Sequence, residues 1–105
     1  MTIIKNYTDL QQSKKLAEIL PLESADMYYE WPNKKVHFKD DKYNGMGLSC
    51  WSLAALLDTL PSSTLDSSND HYYRLHCMER FTEWYDNAVD ACYEIITKLH
   101  ELNLL

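Results

Sequence analysis

The chain has 105 residues, enough for one domain whose core needs neither disulfide nor metal to hold it together. Its content of 46% apolar and 12% aromatic residues excludes a disordered polypeptide. Sixteen acids against ten bases leave a net charge of −6, which disfavours a general nucleic-acid binder, because phosphate backbones are held mainly through Lys and Arg.

The excess of acid lies late in the chain. From Asp58 onward, Asp58, Asp66, Asp70, Glu79, Glu83, Asp86, Asp90, Glu94 and Glu101 are set against Arg74, Arg80 and Lys98. The one basic cluster is Lys34, Lys35, Lys39 and Lys42, interrupted by Asp40 and Asp41. The opening MTIIKNYTD lacks the long apolar run of a signal peptide, and no stretch approaches a membrane span, so no membrane partner is expected. Cys50, Cys77 and Cys92 form no CxxC pair and are odd in number, which fits free buried thiols in a cytoplasmic protein.

Thr8 to Leu20 reads as the first helix. Thr8 with Gln11 forms a capping-box pattern, and Pro21 supplies the stop. Leu16, Ala17, Ile19 and Leu20 give it an apolar end, and PLESAD follows as a turn or a single helical turn. MYYEW (27–31) has strand character, Pro32-Asn33-Lys34 makes a turn, and KVHFK (35–39) returns as a second strand with Val36 and Phe38 on one face. DDKYNGMGLS, with Asn44-Gly45 and both glycines, reads as a loop.

Trp51 to Leu60 is the second helix. Leu53, Leu56, Leu57 and Leu60 recur at helical spacing, and Pro61 ends it. PSSTLDSSND is polar and reads as an exposed connection. His71 to Tyr85 fits either strands or a helix running unbroken into the last one. Its aromatic and Thr content, with the start signal at Asp86-Asn87, favours a hairpin in which Tyr73, Leu75 and Cys77 line one face and Phe81 and Tyr85 or Trp84 return.

The last helix, within Asp86 to Leu105, carries the clearest pattern. Val89, Cys92, Tyr93, Ile96 and Leu99, with Ala88, Ile95 and Leu102 beside them, gather on one side. Asn87 or Asp86 serves as N-cap, Asp90 meets the positive end of the helix dipole, and Glu94 precedes Lys98 by one turn, the favourable order for an ion pair. The expected architecture is a single α+β domain over 1–105, order α-β-β-α-β-β-α. Its strands make an antiparallel sheet of about four, with helices packed on one face.

Ala25 to Tyr29 (ADMYY), Trp51 to Pro61 (WSLAALLDTLP) and the stretch Asn87 to Leu102 carry a resemblance that covers most of the chain. In this order they resemble small proteins of Bacteroides-group gut bacteria and of their phages and mobile elements. The matching segments are mainly core patterns, so the resemblance implies origin and fold and carries no chemistry. It also implies strands ahead of the last helix.

Candidate chemistry is sparse. His71, His76 and Cys77 are close in sequence, with His37 or His100 able to join through space, but strand alternation sends His76 and Cys77 to opposite faces. No tetrahedral metal set results, and no cofactor is expected. Cys50, just before a helix, or Cys77 with a histidine makes a conceivable thiolate pair, yet no Gly-rich oxyanion loop accompanies either. Neither Gly-rich nucleotide fingerprint is present. Glu79, Glu83 and Asp86 read as a solvated acidic edge, and Lys34-Lys35 as a hairpin tip. The expectation is therefore a non-enzymatic protein that binds a protein partner or itself as a homodimer. Tyr28, Tyr29, Trp31, Tyr72 and Trp84 are the candidate contact residues, since Tyr and Trp are favoured at interfaces. A second expectation is an acidic inhibitor or antitoxin-like protein occupying a basic host surface. A third is a small-ligand binder or enzyme, marked by a deep pocket with converging polar groups.

Overall fold

The computed structural model describes residues 5–40 and 43–105. Lys42 of the basic cluster and the first four residues of the opening stretch lie outside them. Helix α1 runs Leu10–Ile19 and is capped by Asp9, one residue later than the Thr8–Gln11 pattern predicts. The Asp9 carboxylate accepts from Gln12 N (2.8 Å), while the Gln12 side chain accepts from Asp9 N (3.1 Å), a complete capping box. Thr8 is unavailable as a cap because it is fully buried. Its hydroxyl accepts from Trp51 N at 3.1 Å and shares a hydrogen bond with Ser13 Oγ at 2.7 Å.

After a 3₁₀ turn at Leu22–Ser24, strands β1 (Met27–Tyr29) and β2 (Val36–Phe38) pair antiparallel as expected, Met27 opposite Phe38 and Tyr29 opposite Val36. The expected loop ends in a third strand, β3 (Leu48–Cys50), which pairs with the other edge of β1. Gly47 makes this pairing possible. Its φ is +92°, and a Cβ there would lie 2.3 Å from the Tyr29 carbonyl oxygen, so only glycine brings the chain this close to β1. Cys50 therefore belongs to a strand and does not directly precede a helix.

Helix α2 is shorter than the periodicity predicts, Leu53–Thr59, with Ser52 as its N-cap. The Asp26 carboxylate accepts from both the backbone N–H (3.0 Å) and the hydroxyl of Ser52 (2.5 Å), so the residue just before β1 fixes where α2 starts. Trp51 stays outside the helix, fully buried, its indole N–H donating to Ser24 Oγ at 2.9 Å.

The polar connection contains β4 (Ser63–Ser67), which pairs antiparallel with β5 (Tyr73–Cys77), and β5 pairs with β6 (Arg80–Phe81). Its only large apolar residue, Leu65, sits opposite Leu75 in the register, and that single pair ties β4 to the core. The hairpin reading of 71–85 is correct. Leu75 and Cys77 are buried and Tyr73 half-buried on the inner face, but Phe81 pairs with His76 and so lies on the outer one.

Helix α3, Ala88–Glu101, is capped by Asn87, whose side-chain oxygen accepts from Asp90 N at 2.8 Å. Val89, Ala91, Cys92, Ile95, Ile96 and Leu99 are fully buried, whereas Leu102 is exposed. Glu94 does not follow the expected pairing with Lys98. It turns towards the second sheet, accepting from Glu83 N (3.1 Å) and the Tyr85 hydroxyl (2.9 Å).

The fold is α+β, with three α-helices and two three-stranded antiparallel sheets among the described residues, in place of one sheet of about four strands. Each sheet is followed by a helix, but the strand orders differ, β2-β1-β3 in the first and β4-β5-β6 in the second, so the two halves are not copies of one motif. The main core joins Leu16, Trp51, Leu56, Leu75 and the buried face of α3. A smaller cluster of Met27, Tyr29 and Cys50 lies under α1, with Tyr7, Leu10, Val36 and Leu48 packed against it. Among the described residues, no helix is long and apolar enough to cross a membrane.

Candidate functional site

The five aromatic candidates fall into three places. Tyr29 lies inside, its hydroxyl donating to the Thr8 carbonyl at 2.7 Å, and burial pushes its pKa to about 12. It is a core residue, correcting its assignment to a contact patch. Tyr28 and Trp31 line a hollow of about 280 Å³ with Glu30, Asn44, Met46 and Gly47 beside the first sheet. There the Tyr28 ring lies 5.5 Å from that of His37, which is itself 2.6 Å from the Glu30 carboxylate. Tyr72 and Trp84 line a second hollow of about 300 Å³ with Ser68 and Asp70.

The second hollow opens at one end of a continuous ladder on the outer face of the β4-β5-β6 sheet. Alternation along β5 sends Leu75 and Cys77 inward and Arg74 and His76 outward. The His76 ring stacks on Phe81 with centroids 4.2 Å apart and planes 7° from parallel. The guanidinium of Arg74 lies 4.4 Å from the Phe81 centroid and 4.7 Å from that of Trp84, within cation–π range of both. Asp66, opposite Arg74 in the register, accepts from its Nε at 3.2 Å and fixes the guanidinium plane.

Local structure holds the hollow's end of this ladder in place. Ser68 Oγ accepts from the backbone of Asp70 (3.3 Å) and Tyr72 (3.1 Å), closing the β4–β5 connection in which His71 takes a positive φ. At the same end Tyr73 and Tyr85 exchange backbone hydrogen bonds of 2.7 and 2.8 Å, fixing the residues on either side of β5 next to the hollow. The Thr82 hydroxyl accepts from Leu75 N at 2.9 Å. Glu94 of α3 holds the backbone of Glu83 and the hydroxyl of Tyr85. With Tyr85 turned inward, the pleat presents Trp84 to solvent, where it is 45% exposed; Phe81 is 49% and Tyr72 48% exposed. Arg74, His76 and Phe81 are not among the contact residues expected from the sequence. The signal available was the alternation around Leu75 and Cys77, which places 74 and 76 on the same side as Tyr72.

The groups weighed for chemistry are placed apart. Cys77 faces the core while His76 faces out, and among the described residues no group of three His, Cys, Asp or Glu side chains is arranged to hold a metal. Burial pushes the thiols of Cys50 and Cys92 up to about 12 and raises Cys77 as well, so none is a ready thiolate. A pair that sequence reasoning missed is Lys39 and Ser49, with Nζ 3.0 Å from Oγ. Burial lowers the Lys39 pKa, against the carboxylates of Asp26 and Glu23, but Ser49 is only 6% exposed and Lys39 also donates to the Leu22 carbonyl. The pair reads as a tie between β2, β3 and the 3₁₀ turn. Comparison of the chain with protein-family models, curated proteins and solved structures finds no match.

Proposed function

We propose that this protein is a non-enzymatic interaction module that binds another protein through the outer face of its second sheet, a second copy of the chain being the simplest partner. The observation carrying the reading is the ladder itself. Tyr72, Arg74 and Trp84 are the residue types that dominate binding energy at interfaces; Tyr72, Phe81 and Trp84 are exposed, and the half-buried Arg74, held by Asp66, lies over the rings of Phe81 and Trp84. Side chains already fixed in one arrangement lose little freedom on binding, which favours recognition over mere solvent cover. The three free, buried cysteines suit a reducing compartment, so the cytoplasm is the proposed location.

A second reading is favoured by charge. Asp70, Glu79, Glu83 and Asp86 are all exposed and flank the ladder in sequence, which suits a basic partner surface. On this reading the protein covers such a surface, as inhibitors and antitoxins of phages and mobile elements do.

Site-specific photo-cross-linking in the cell of origin tests both. A benzophenone amino acid at position 72 or 84 should give one discrete adduct, and the same probe at Lys14, exposed on α1, should give none. An adduct of twice the chain mass supports self-association, and an adduct with a basic protein that weakens with salt supports the second reading. No adduct at 72 or 84, or equal labelling from Lys14, sinks the proposal.

A further inference from the structure

We propose that the hollow between Tyr72 and Trp84 is a receptor for one arginine side chain of the partner, its guanidinium stacking on the aromatic rings and facing the Asp70 carboxylate. This rests on the interaction reading above and specifies its chemistry. At about 300 Å³ the hollow sits at the bottom of the range of small-molecule clefts (~300–1,000 Å³), a size suited to a single side-chain head group.

Three observations define the occupant. The walls are two aromatic rings, and a tryptophan face is the most favourable of the aromatic surfaces for a cation. The Trp84 ring already has a guanidinium over it, that of Arg74 at 4.7 Å, so a planar cation is compatible with this ring in this setting. Arg74 is itself engaged by Asp66 and Phe81 and is not among the residues lining the hollow. Finally, the charge is uncompensated. Asp66 offsets Arg74, while Asp70 in the wall and Glu83 beside Trp84 are in no ion pair among the described residues. A guanidinium meets both demands at once, because it stacks on aromatic faces as an ammonium does not and forks onto a carboxylate.

The test uses the isotopically labelled full chain and proton–nitrogen correlation spectra, which resolve the indole N–H of each tryptophan. N-acetyl-arginine amide is the probe, N-acetyl-citrulline amide its uncharged near-isostere, and N-acetyl-lysine amide the competing cation. The Trp84 indole signal should move saturably with the arginine compound and bind the citrulline compound roughly 2- to 30-fold more weakly, the span of a cation–π contact. Asp70→Asn should weaken the arginine compound several-fold and flatten its salt dependence, and Trp84→Leu should abolish the response at Asp70 and Tyr72. Equal response to arginine and citrulline, tighter binding of lysine, or movement confined to the Trp31 indole overturns the proposal. Should cross-linking at 72 and 84 succeed while the arginine compound fails, the interaction face stands and only its arginine specificity falls. Failure of both removes the face as well.

Discussion

The ammonium of Lys5 lies 2.7 Å from the carboxylate of Asp90, joining the segment before α1 to the first turn of α3, 85 residues further on. Asp90 also accepts from the side chains of Gln12 and Asn87, each at 2.8 Å, so one partly buried carboxylate links the starts of two helices. Its place near the positive end of α3 adds a favourable dipole interaction.

This carboxylate sets a pH dependence. Burial pushes its pKa up, but the hydrogen bonds from Lys5, Asn87 and Gln12 outweigh that and hold it below the ordinary value. A carboxyl whose folded pKa lies below its unfolded one contributes its full stability above the ordinary carboxylate range and loses it as pH falls through the folded value. Asp90→Asn should therefore cost about 1–3 kcal/mol at neutral pH, the loss of hydrogen bonds to a charged group. The variant's stability should also decline less steeply on acidification. Urea unfolding at neutral and acid pH checks both, and parallel pH profiles for the two proteins would contradict the assignment.

The β5–β6 turn offers a gain. Cys77 pairs with Arg80 across a two-residue connection in which Met78 (φ 52°) and Glu79 (φ 64°) both sit in the left-handed region. Such a turn matches the twist of the flanking strands but favours Asn-Gly, and neither residue present is suited to it. The double change Met78→Asn with Glu79→Gly should raise stability by about 1–2 kcal/mol, from the known cost of left-handed backbone for L residues. It should appear as a higher denaturant midpoint with an unchanged slope. A lower midpoint would mean that the Met78 side chain contributes more than its 42% exposure suggests.

Leu56 is fully buried in the short α2 helix, where it packs into the main core. A helix of this length gains nearly all its stability from such packing. Leu56→Ala should cost roughly 2–5 kcal/mol, and Leu57→Ala, at a half-buried position of the same helix, clearly less. Thermal melts of the two variants decide it, and indistinguishable melting temperatures would show that α2 is not anchored through Leu56.

What the sequence disclosed depended on how much apolar signal each element carries. Helix α3 was plain because six fully buried residues repeat at helical spacing, and the β1–β2 hairpin because aromatic strands flank a proline turn. Strand β4 was hidden because it contributes one leucine to the core and is otherwise Ser, Thr and Asp. Strand β3 was hidden by the two glycines before it: Gly45 belongs to the loop, but Gly47 lets the chain approach Tyr29 and start a strand. The same logic separates the contact residues. Tyr28 and Tyr29 are adjacent and chemically identical, and only the pleat decides that one is a surface ring and the other a core ring. Arg74 and Phe81 became visible only once the register brought them together, since no local pattern links residues on neighbouring strands.

The separation of the apolar interior into a large and a small cluster has a kinetic corollary. Amide protons of β5 and the middle of α3, anchored in the large cluster, should exchange with deuterated solvent only when the whole molecule opens. Those of β1 and β2, backed by the smaller cluster, should exchange through a cheaper excursion in which that sheet lifts away while the remainder stays assembled. Two plateaus of protection, differing between the sheets, would make this small chain a pair of cooperative units of unequal strength.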